Sequence, residues 1–362
     1  MSTYDLDRAT LLSDLNNLNP GQLNAIRSFL ADSGYGPHSP SFSVDYDGSN
    51  DPGAVVEVIN QPNWSVTSDA QLIVQYNNDD TNLVVHGTTD RTIVTGAGDD
   101  KISLQDSGND HVVLGDGNNT VWTGTGADTI EGGSGNNFFD AATYGAGAGT
   151  VLKGGDGNDT FYATGASNGI SMVGGAGNDT FYGGNGADTM EGGAGNDVMY
   201  GVGAGSSLSG GAGNDTLYGG AGHETLVGGA GDDQLISKST AGAVGDGNSL
   251  VGGAGNDTLW AGAGYDTLVA GHGPDTLISG TGSSQMIGSQ NGHTTFEVAY
   301  QTGNDTITGS GSGNVVYLDG RNFSDATIAT NSGVTTVTFS DGQVLQISGV
   351  QDIVFHDQDY KP

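Results

Sequence analysis

The sequence has no cysteine and very few basic residues. Its 362 residues include 8 Lys+Arg and 42 Asp+Glu, which gives a formal net charge of −34 at pH 7. Without cysteine, neither disulfide bonds nor thiolate metal sites can form. The charge argues against partners that are polyanions themselves, so no nucleic acid and no anionic membrane surface is predicted. The many carboxylates require cations.

Membrane and targeting segments are also missing. No apolar run approaches the roughly 18 residues of a transmembrane helix, so no transmembrane segment is predicted. The N-terminal sequence MSTYDLDRATLLSDL has neither the basic region nor the apolar region of a secretory signal peptide. Absence of such a signal is usual for cytoplasmic proteins.

Glycine, by contrast, is abundant and periodic. The chain contains 67 glycines. Residues 174–236 divide into seven consecutive units of nine, namely GGAGNDTFY, GGNGADTME, GGAGNDVMY, GVGAGSSLS, GGAGNDTLY, GGAGHETLV and GGAGDDQLI. These units follow G-G-x-G-x-D-x-U-x, in which U is a large apolar residue. A fixed period of this kind indicates a solenoid, whereas the same glycine content without a period would indicate disorder.

Each nonapeptide combines a six-residue turn with a three-residue strand. Glycines at positions 1, 2 and 4 permit positive φ angles and close backbone approach, which directs their carbonyl groups towards a cation. The aspartate at position 6 adds a carboxylate, and calcium prefers six to eight such oxygens. Side chains alternate along a strand, so position 8 points inward. Its occupants are Phe181, Met190, Met199, Leu208, Leu217, Leu226 and Leu235.

This repeat resembles the calcium-binding nonapeptide of the RTX (hemolysin-type) family. The resemblance implies an all-β fold, a right-handed parallel β-roll (a β-helix or solenoid), that holds several Ca²⁺ ions. It also implies export from a Gram-negative bacterium by a type I system that reads a C-terminal signal. Extracellular modules bind calcium at ~10⁻⁴–10⁻³ M, far above cytosolic levels, so a secreted, extracellular or cell-surface location is expected.

Four segments follow from the pattern. Residues 1–40 are predicted to form a short helical hairpin, with helices over Asp5–Leu18 and Gln22–Ala31, that either caps the roll or docks onto another subunit. Residues 41–94 are predicted as β coils without calcium, and 95–317 as the calcium-binding β-roll. Residues 318–362 are predicted as a C-terminal β cap overlapping the secretion signal. There, Asp341-Gly342 between two alternating runs indicates a hairpin.

Alternate units fall on opposite edges of the roll. The edge that we name the full edge has aspartate at every sixth position, as Asp159, Asp179, Asp197, Asp215, Asp233, Asp257 and Asp275. The opposite edge, named the broken edge, reads Thr150, Ile170, Asp188, Ser206, Glu224, Asn248, Asp266 and Ser284. We expect about six calcium ions along the full edge, one between successive turns, and fewer along the broken edge. Carboxylates ~5 Å apart repel by roughly 3 kcal/mol per pair, so folding should require calcium.

The predicted metal ligands extend beyond these two rows. The carboxylates are Asp100, Asp110, Asp128, Asp159, Asp179, Asp188, Asp197, Asp215, Glu224, Asp233, Asp257, Asp266, Asp275 and Asp305. Carbonyl oxygens are predicted from second- and fourth-position glycines, namely Gly155, Gly157, Gly175, Gly177, Gly193, Gly195, Gly211, Gly213, Gly229, Gly231, Gly253 and Gly255. No catalytic residue and no other cofactor is predicted.

Position 9 points outward and carries a column of aromatic residues after the full edge. The candidate interface residues are Tyr162, Tyr182, Tyr200, Tyr218 and Trp260, interspersed with Ile236 and Ile278. Exposed apolar strips of this size often mark an interface. The column could instead stack on itself and stiffen the sheet, or contact the N-terminal helices.

Three functional hypotheses remain from the sequence. The first is a structural protein of the cell surface or matrix that self-associates into a layer or filament, similar to RTX surface-layer proteins. The second is a calcium-dependent adhesin or effector that binds a host surface or polysaccharide. The third, an enzyme with an unrecognised site, is disfavoured because the 94 residues before the repeats are poor in catalytic groupings, and no H-E-x-x-H motif is present.

Overall fold

A computed structural model gives the fold of most of the chain. It describes residues 3–6, 22, 26, 42–45, 56–59, 62–67, 69–75, 79–203, 205–220, 222–238, 247–290, 293–300 and 303–362. These residues belong to two units, Met1–Asn185 and Gly186–Pro362. Each unit is a parallel β-solenoid in which successive strands alternate between two sheets.

The local sequence explains the strands. In the nonapeptide ending at residue 162, Thr160 is half-buried, Phe161 is fully buried and Tyr162 is exposed. This alternation is the two-residue period of a strand with one face in the core. A strand this short is not stable alone, because it needs partners above and below it. The nine-residue repeat supplies these partner strands at every turn.

Unit 1 has two sheets of parallel strands. Its strands are β1 (Thr3–Leu6), β2 (Phe42–Asp45), β3 (Val56–Ile59), β4 (Asn63–Val66), β5 (Leu72–Gln75), β6 (Asn82–Gly87), β7 (Thr92–Val94), β8 (Lys101–Asp106), β9 (His111–Val113), β10 (Thr120–Trp122), β11 (Thr129–Glu131), β12 (Phe138–Asp140), β13 (Val151–Asp156), β14 (Thr160–Tyr162), β15 (Ser171–Ala176) and β16 (Thr180–Tyr182). One sheet runs β2-β3-β5-β7-β9-β11-β13-β15, with β1 antiparallel to β2. The other runs β4-β6-β8-β10-β12-β14-β16.

Unit 2 repeats this arrangement and ends in antiparallel strands. Its elements are β17 (Thr189–Ala194), β18 (Val198–Tyr200), β19 (Ser207–Ala212), β20 (Thr216–Tyr218), β21 (Thr225–Ala230), β22 (Gln234–Ile236), β23 (Ser249–Ala254), β24 (Thr258–Trp260), β25 (Thr267–His272), β26 (Thr276–Ile278), β27 (Gln285–Ile287), β28 (Thr295–Val298), β29 (Thr306–Thr308), β30 (Val315–Leu318), a 3₁₀ turn (Phe323–Asp325), β31 (Ala326–Asn331), β32 (Val334–Phe339), β33 (Val344–Ser348), β34 (Asp352–Phe355) and β35 (Asp359–Tyr360). One sheet runs from β17 through the odd-numbered strands to β29 and β33. The other runs from β18 through the even-numbered strands to β30 and β34.

The core between the two sheets is a column of eighth-position side chains. In unit 1, Phe139, Phe161 and Phe181 stack with ring centroids 5.1 and 4.7 Å apart. In unit 2, the column consists of leucine and methionine, from Met190 to Met286, and these side chains are at most 1% exposed. Burying each such side chain contributes about 1.5–3 kcal/mol. The predicted inward direction of position 8 is therefore confirmed.

The predicted N-terminal helical hairpin is not supported. Asp5 and Leu6, at the start of the first predicted helix, lie in β1 and pair with Ser43 and Phe42 of β2. Within the second predicted helix, Gln22 and Ile26 are helical and buried. The rest of the two predicted helices lies outside the described residues. At Asp5 and Leu6, pairing with β2 has overridden the helical spacing from which the start of the first helix was inferred.

The predicted strands at both ends of the repeats are largely confirmed. Strands β2 to β7 lie within residues 41–94, for which β coils are predicted. The hairpin around Asp341-Gly342 is present as the antiparallel pair β32–β33, with Gly342 at φ 97°. The described part of the chain contains no helix with the length and apolarity needed to cross a bilayer.

Candidate metal centres

The sixth-position aspartates of the full edge form a continuous hydrogen-bonded row within each unit. All are 1% exposed. Within a unit, Oδ1 of one aspartate accepts the backbone N–H of the aspartate one turn earlier. In unit 1, Asp159 donates to Asp179 at 2.7 Å. In unit 2, the same bond joins Asp197 to Asp215, Asp215 to Asp233, Asp233 to Asp257 and Asp257 to Asp275, at 2.7, 2.8, 2.9 and 3.0 Å. One carboxylate oxygen therefore fixes the register of the turns.

The second oxygen of these carboxylates is buried without a donor. Oδ2 forms no hydrogen bond in Asp100, Asp159, Asp215, Asp233, Asp257 and Asp275. Burial raises the pKa of Asp100, Asp159, Asp215 and Asp257 to about 6 and, together with repulsion from Asp257 and Asp215, that of Asp233 to about 7. A buried unpaired charge is strongly unfavourable. Each such carboxyl therefore needs either a proton or a cation.

The first-position glycines form a cradle of oxygen atoms around each Oδ2. A Cβ atom built on one of them would come closer than 3.0 Å both to Oδ2 of its own turn's aspartate and to the first-position carbonyl oxygen of the next turn. The glycines that share this arrangement are Gly154, Gly192, Gly210, Gly228 and Gly252. Carboxylate and carbonyl oxygens converge there, and they are the ligands that Ca²⁺ prefers. The residues present thus fit calcium.

The second- and fourth-position glycines hold the turn in shape. Every one of those predicted as ligands has positive φ, from 113° at Gly193 to 142° at Gly255. A Cβ atom on Gly211 would overlap the carbonyl oxygen of Gly193, which is the second-position glycine one turn earlier. Fourth-position glycines are related in the same way, as at Gly213 and Gly195. Backbones therefore approach too closely for any side chain. No group of three His, Asp or Glu side chains converges within the described residues, so backbone carbonyls must supply much of any ligand set.

Two earlier turns of the same row, which lie between Asp100 and Asp159, have asparagine in place of aspartate. Asn119 and Asn137 keep the Oδ1 bond, since the N–H of Asn119 donates to Asn137 Oδ1 at 3.1 Å. Their Nδ2 atoms donate to fourth-position carbonyls, Asn119 to Gly117 at 3.2 Å and Asn137 to Gly135 at 3.1 Å. The amide thus supplies the donor that a carboxylate lacks.

The broken edge has fewer carboxylates, and some of them are already satisfied. Oδ2 of Asp128 accepts the N–H of Gly124 at 3.1 Å, and Oδ2 of Asp266 accepts that of Gly262 at 2.6 Å. Burial and repulsion from Asp106 raise the pKa of Asp110 to about 8. Burial likewise raises the pKa of Glu224 to about 7. The two edges therefore differ in chemistry as well as in residue type.

The remaining residues of the broken edge interrupt any continuous row of acids. Thr150 Oγ1 donates to the carbonyl of Gly147 at 3.0 Å, and Ser206 Oγ to that of Gly203 at 3.2 Å. Ile170 is a buried apolar residue at the same position. Asp188 and Asp305 are buried sixth-position residues whose side chains lie in separate turns. The asymmetry of the sequence is thus carried into the structure.

A second ladder at position 5 was not anticipated from the sequence. Here the backbone N–H donates to the side-chain oxygen one turn earlier, opposite in direction to the position-6 ladder. Unit 1 has Asn158 to Asn136 at 2.8 Å, and unit 2 has Asn214 to Asn196 at 2.7 Å and Asp232 to Asn214 at 2.9 Å. The recurrent N-D pair at positions 5 and 6 was the available signal. These exposed residues fasten consecutive turns without any metal.

The outward aromatic column stacks within each unit. Tyr162 and Tyr182, 38% and 36% exposed, have centroids 5.8 Å apart. Tyr200 and Tyr218 lie parallel at 4.9 Å, and Lys238 Nζ lies 4.3 Å above the Tyr218 ring. Trp260 is half-buried. The tyrosine rings therefore contact one another within each unit, and Tyr162 and Tyr182 remain exposed.

Comparison with known families agrees with this geometry. The family model for the RTX calcium-binding nonapeptide repeat (4 copies) matches residues 104–139, 144–170, 171–199, 200–235 and 244–286. These segments include every sixth-position residue of the full edge from Asn119 to Asp275. A search of curated proteins found no match. Repeats of this family bind multiple Ca²⁺ ions. The chain therefore contains calcium-binding nonapeptide repeats of the RTX type across most of residues 104–286.

Proposed function

We propose that the full-edge aspartates hold Ca²⁺ together with glycine carbonyls of their turns, and that the broken edge holds fewer ions. The buried Oδ2 atoms that have no donor, at Asp215, Asp233 and Asp257, are the observation that carries this proposal. Calcium would supply the positive charge that these oxygens lack. Asp110, Asp188, Glu224 and Asp305 are the candidate ligands on the broken edge.

The same reasoning supports folding after export. A chain with a net charge of −34 opposes its own compaction until cations neutralise the buried carboxylates. Metal-binding energy then becomes folding energy. We infer a secreted protein that leaves a Gram-negative cell through a type I system and folds where calcium is plentiful. The 318–362 segment is the candidate export signal, and the repeat architecture favours a non-catalytic role.

The biological role that we propose is self-association into a surface layer or filament. The outward columns support it, since Tyr200, Tyr218, Ile236, Trp260 and Ile278 are all half-buried on one sheet of unit 2. A second copy of the chain can cover such a face once calcium has reduced the mutual repulsion of the two polyanions. Association should therefore depend on calcium.

One experiment tests both parts of this proposal. Purified chain is titrated with calcium while β-structure is followed by circular dichroism and mass by light scattering. We expect β-structure to appear first and particles of increasing mass at higher calcium. A Tyr200→Ser/Tyr218→Ser variant should fold with the same calcium dependence and remain monomeric. A Ser207→Thr/Ser249→Thr variant on the opposite sheet serves as the control. Wild-type protein that stays monomeric at millimolar calcium would contradict the structural role.

A second candidate function is binding of carbohydrate, which a groove in unit 2 favours. Tyr265 is 60% exposed beside a groove of about 560 Å³. The groove is lined by hydroxyl and amide groups, among them Ser283, Gln285 and Asn304, and by the acidic residue Asp266. An exposed aromatic ring beside such polar groups suits a sugar ring. Glycan-array binding of the calcium-loaded chain that is lost in Tyr265→Ala would support an adhesin. Binding by neither protein would remove this candidate.

A further inference from the structure

A buried arginine occupies the first sixth position in the broken-edge row of unit 1. Strand β7 pairs with β9, and β9 pairs with β11, in a register that places Arg91, Asp110 and Asp128 at equivalent positions in successive turns. The N–H of Arg91 donates to Asp110 Oδ1 at 2.9 Å, as the N–H of Asp110 donates to Asp128 Oδ1 at 3.0 Å. Residues 86–94, HGTTDRTIV, thus form a nonapeptide turn. Its sixth position carries a cationic side chain, whereas the next two turns of the row carry aspartate there.

The guanidinium group takes the oxygen partners that a metal ion would take. Nη1 donates to Asp106 Oδ2 at 2.9 Å and to the carbonyl of Thr89 at 2.9 Å, and Nη2 donates to the carbonyl of His86 at 3.0 Å. His86 and Thr89 are positions 1 and 4 of the turn. The side chains of Arg91 and Asp106 are 1% and 0% exposed. One carboxylate and two carbonyls form the hard-oxygen set that calcium prefers.

The shape of the turn matches that of the later turns. Gly87, at position 2, has φ 116°, and Gly155 and Gly175 at the same position both have 117°. A Cβ atom on Gly87 would lie 3.3 Å from Arg91 Nη2, so the guanidinium lies against the glycine backbone. The matched repeat segments begin only at residue 104. This turn therefore keeps the repeat geometry outside the recognised repeats.

The full edge of unit 1 also begins with donors from the chain. The amide of Gln22 donates to the first-position carbonyl of Thr95, and a Cβ atom on Gly115 would lie 2.7 Å from Gln22 Nε2. Asn119 and Asn137 then supply amide donors in the next turns of that row. The broken-edge row of unit 1 thus begins with a guanidinium group, and the full-edge row has amide donors at Gln22, Asn119 and Asn137 on either side of the carboxylate of Asp100.

We propose that Arg91 is a built-in cation that replaces calcium at the first site of the broken edge, so that the coil of residues 82–94 is folded before calcium binds. This inference rests on the proposed calcium sites of the later turns. A permanent positive charge cannot be removed by chelation. The coil would then offer a formed strand edge, β7, on which β9 and the following calcium-dependent turns of unit 1 assemble.

The test exchanges the fixed cation for a metal ligand. Amide hydrogen exchange of residues 82–94 is measured in the full chain with a chelator and with calcium, for the wild type, Arg91→Leu, Arg91→Asp and Lys153→Gln. The last is the charge-matched control, because Lys153 forms an exposed ion pair with Glu131 at 2.8 Å. Wild type and Lys153→Gln should keep these amides protected with or without calcium.

The two Arg91 variants should differ in their amide protection when calcium is added. In the chelator, we expect both to lose at least tenfold in protection over 82–94. Calcium should restore protection in Arg91→Asp, which gains a carboxylate among the same carbonyls, and not in Arg91→Leu. Equal behaviour of the two variants with calcium, or wild-type protection of both in the chelator, would overturn the proposal. Amides of β19–β23 in the same wild-type samples report on the calcium sites of unit 2 independently.

Discussion

The first coils of unit 1 and the aspartate run of unit 2 share the backbone of their turns and differ in the groups that face the turn carbonyls. Around Arg91, Asn119 and Asn137, nitrogen donors from the chain meet the carbonyl oxygens of the turns. From Asp197 to Asp275, carboxylates face those carbonyls. A shared fold can thus be held by fixed donors in one region and by exchangeable cations in another. Calcium dependence should rise along the chain.

The largest expected effect is the response of metal-free protein to pH. Burial raises the pKa of Asp215 and Asp257 to about 6 and of Asp233 to about 7, against roughly 4 in an unfolded chain. The folded state therefore binds these protons more tightly. Its metal-free stability is fully present below about pH 4 and is lost as pH rises through 6 to 7. Circular dichroism in a chelator should show β-structure at pH 4 that decreases by pH 7.5 and returns on adding calcium. An unchanged spectrum would contradict the account of unit 2.

Gly210→Ala should strongly damage the aspartate run. The added methyl group would overlap both Asp215 Oδ2 and the carbonyl oxygen of Gly228. Overpacking alone costs about 1–3 kcal/mol, and the calcium oxygens would also be displaced. Calorimetry should show at least one ion fewer bound per chain. The control is Gly201→Ala, where the nearest atom would be 3.3 Å away and the ion count should not change.

Exchanging aspartate and asparagine at position 6 should exchange the calcium dependence of the two regions. Asp233→Asn replaces a buried oxygen that has no donor by an amide, so we expect it to stabilise the metal-free chain at pH 7 by about 1–3 kcal/mol. With calcium it should destabilise the chain, because a ligand is lost. Asn137→Asp should do the reverse in the chelator. Denaturant titrations of both variants, with and without calcium, measure these signs. The same sign for both variants would mean that the donor at position 6 does not set calcium dependence.

The smallest effect is expected at position 5. Asn214→Ala removes the acceptor for the N–H of Asp232 in an exposed ladder. The loss should be about 0.5–1.5 kcal/mol. It should be equal with and without calcium, because this ladder contains no metal site. A loss that appears only with calcium would place Asn214 in the ligand set. Thermal unfolding of the chain with calcium and with a chelator distinguishes these two outcomes.

The sequence predicted those features that repeat every nine residues. The period placed the strands, the inward column from Phe181 to Leu235 and the buried aspartate row, since each depends only on local spacing. It could not reveal the turn 86–94, which lacks glycine at positions 1 and 4 and carries Arg91 in place of an acid. Register with β9, a long-range property, is what identifies that turn. The start of the first predicted N-terminal helix was wrong for the same reason, because Leu6 lies in β1 and pairs with Phe42.

Regional hydrogen exchange of the wild-type chain tests the central claim most directly. Amide protection is compared at pH 7 in calcium and in excess chelator for β5–β7 in unit 1 and β19–β25 in unit 2. The account predicts that β19–β25 lose protection on chelation and that β5–β7 retain it. Protection of β19–β25 that survives complete removal of calcium would contradict it, as would an equal loss in both regions.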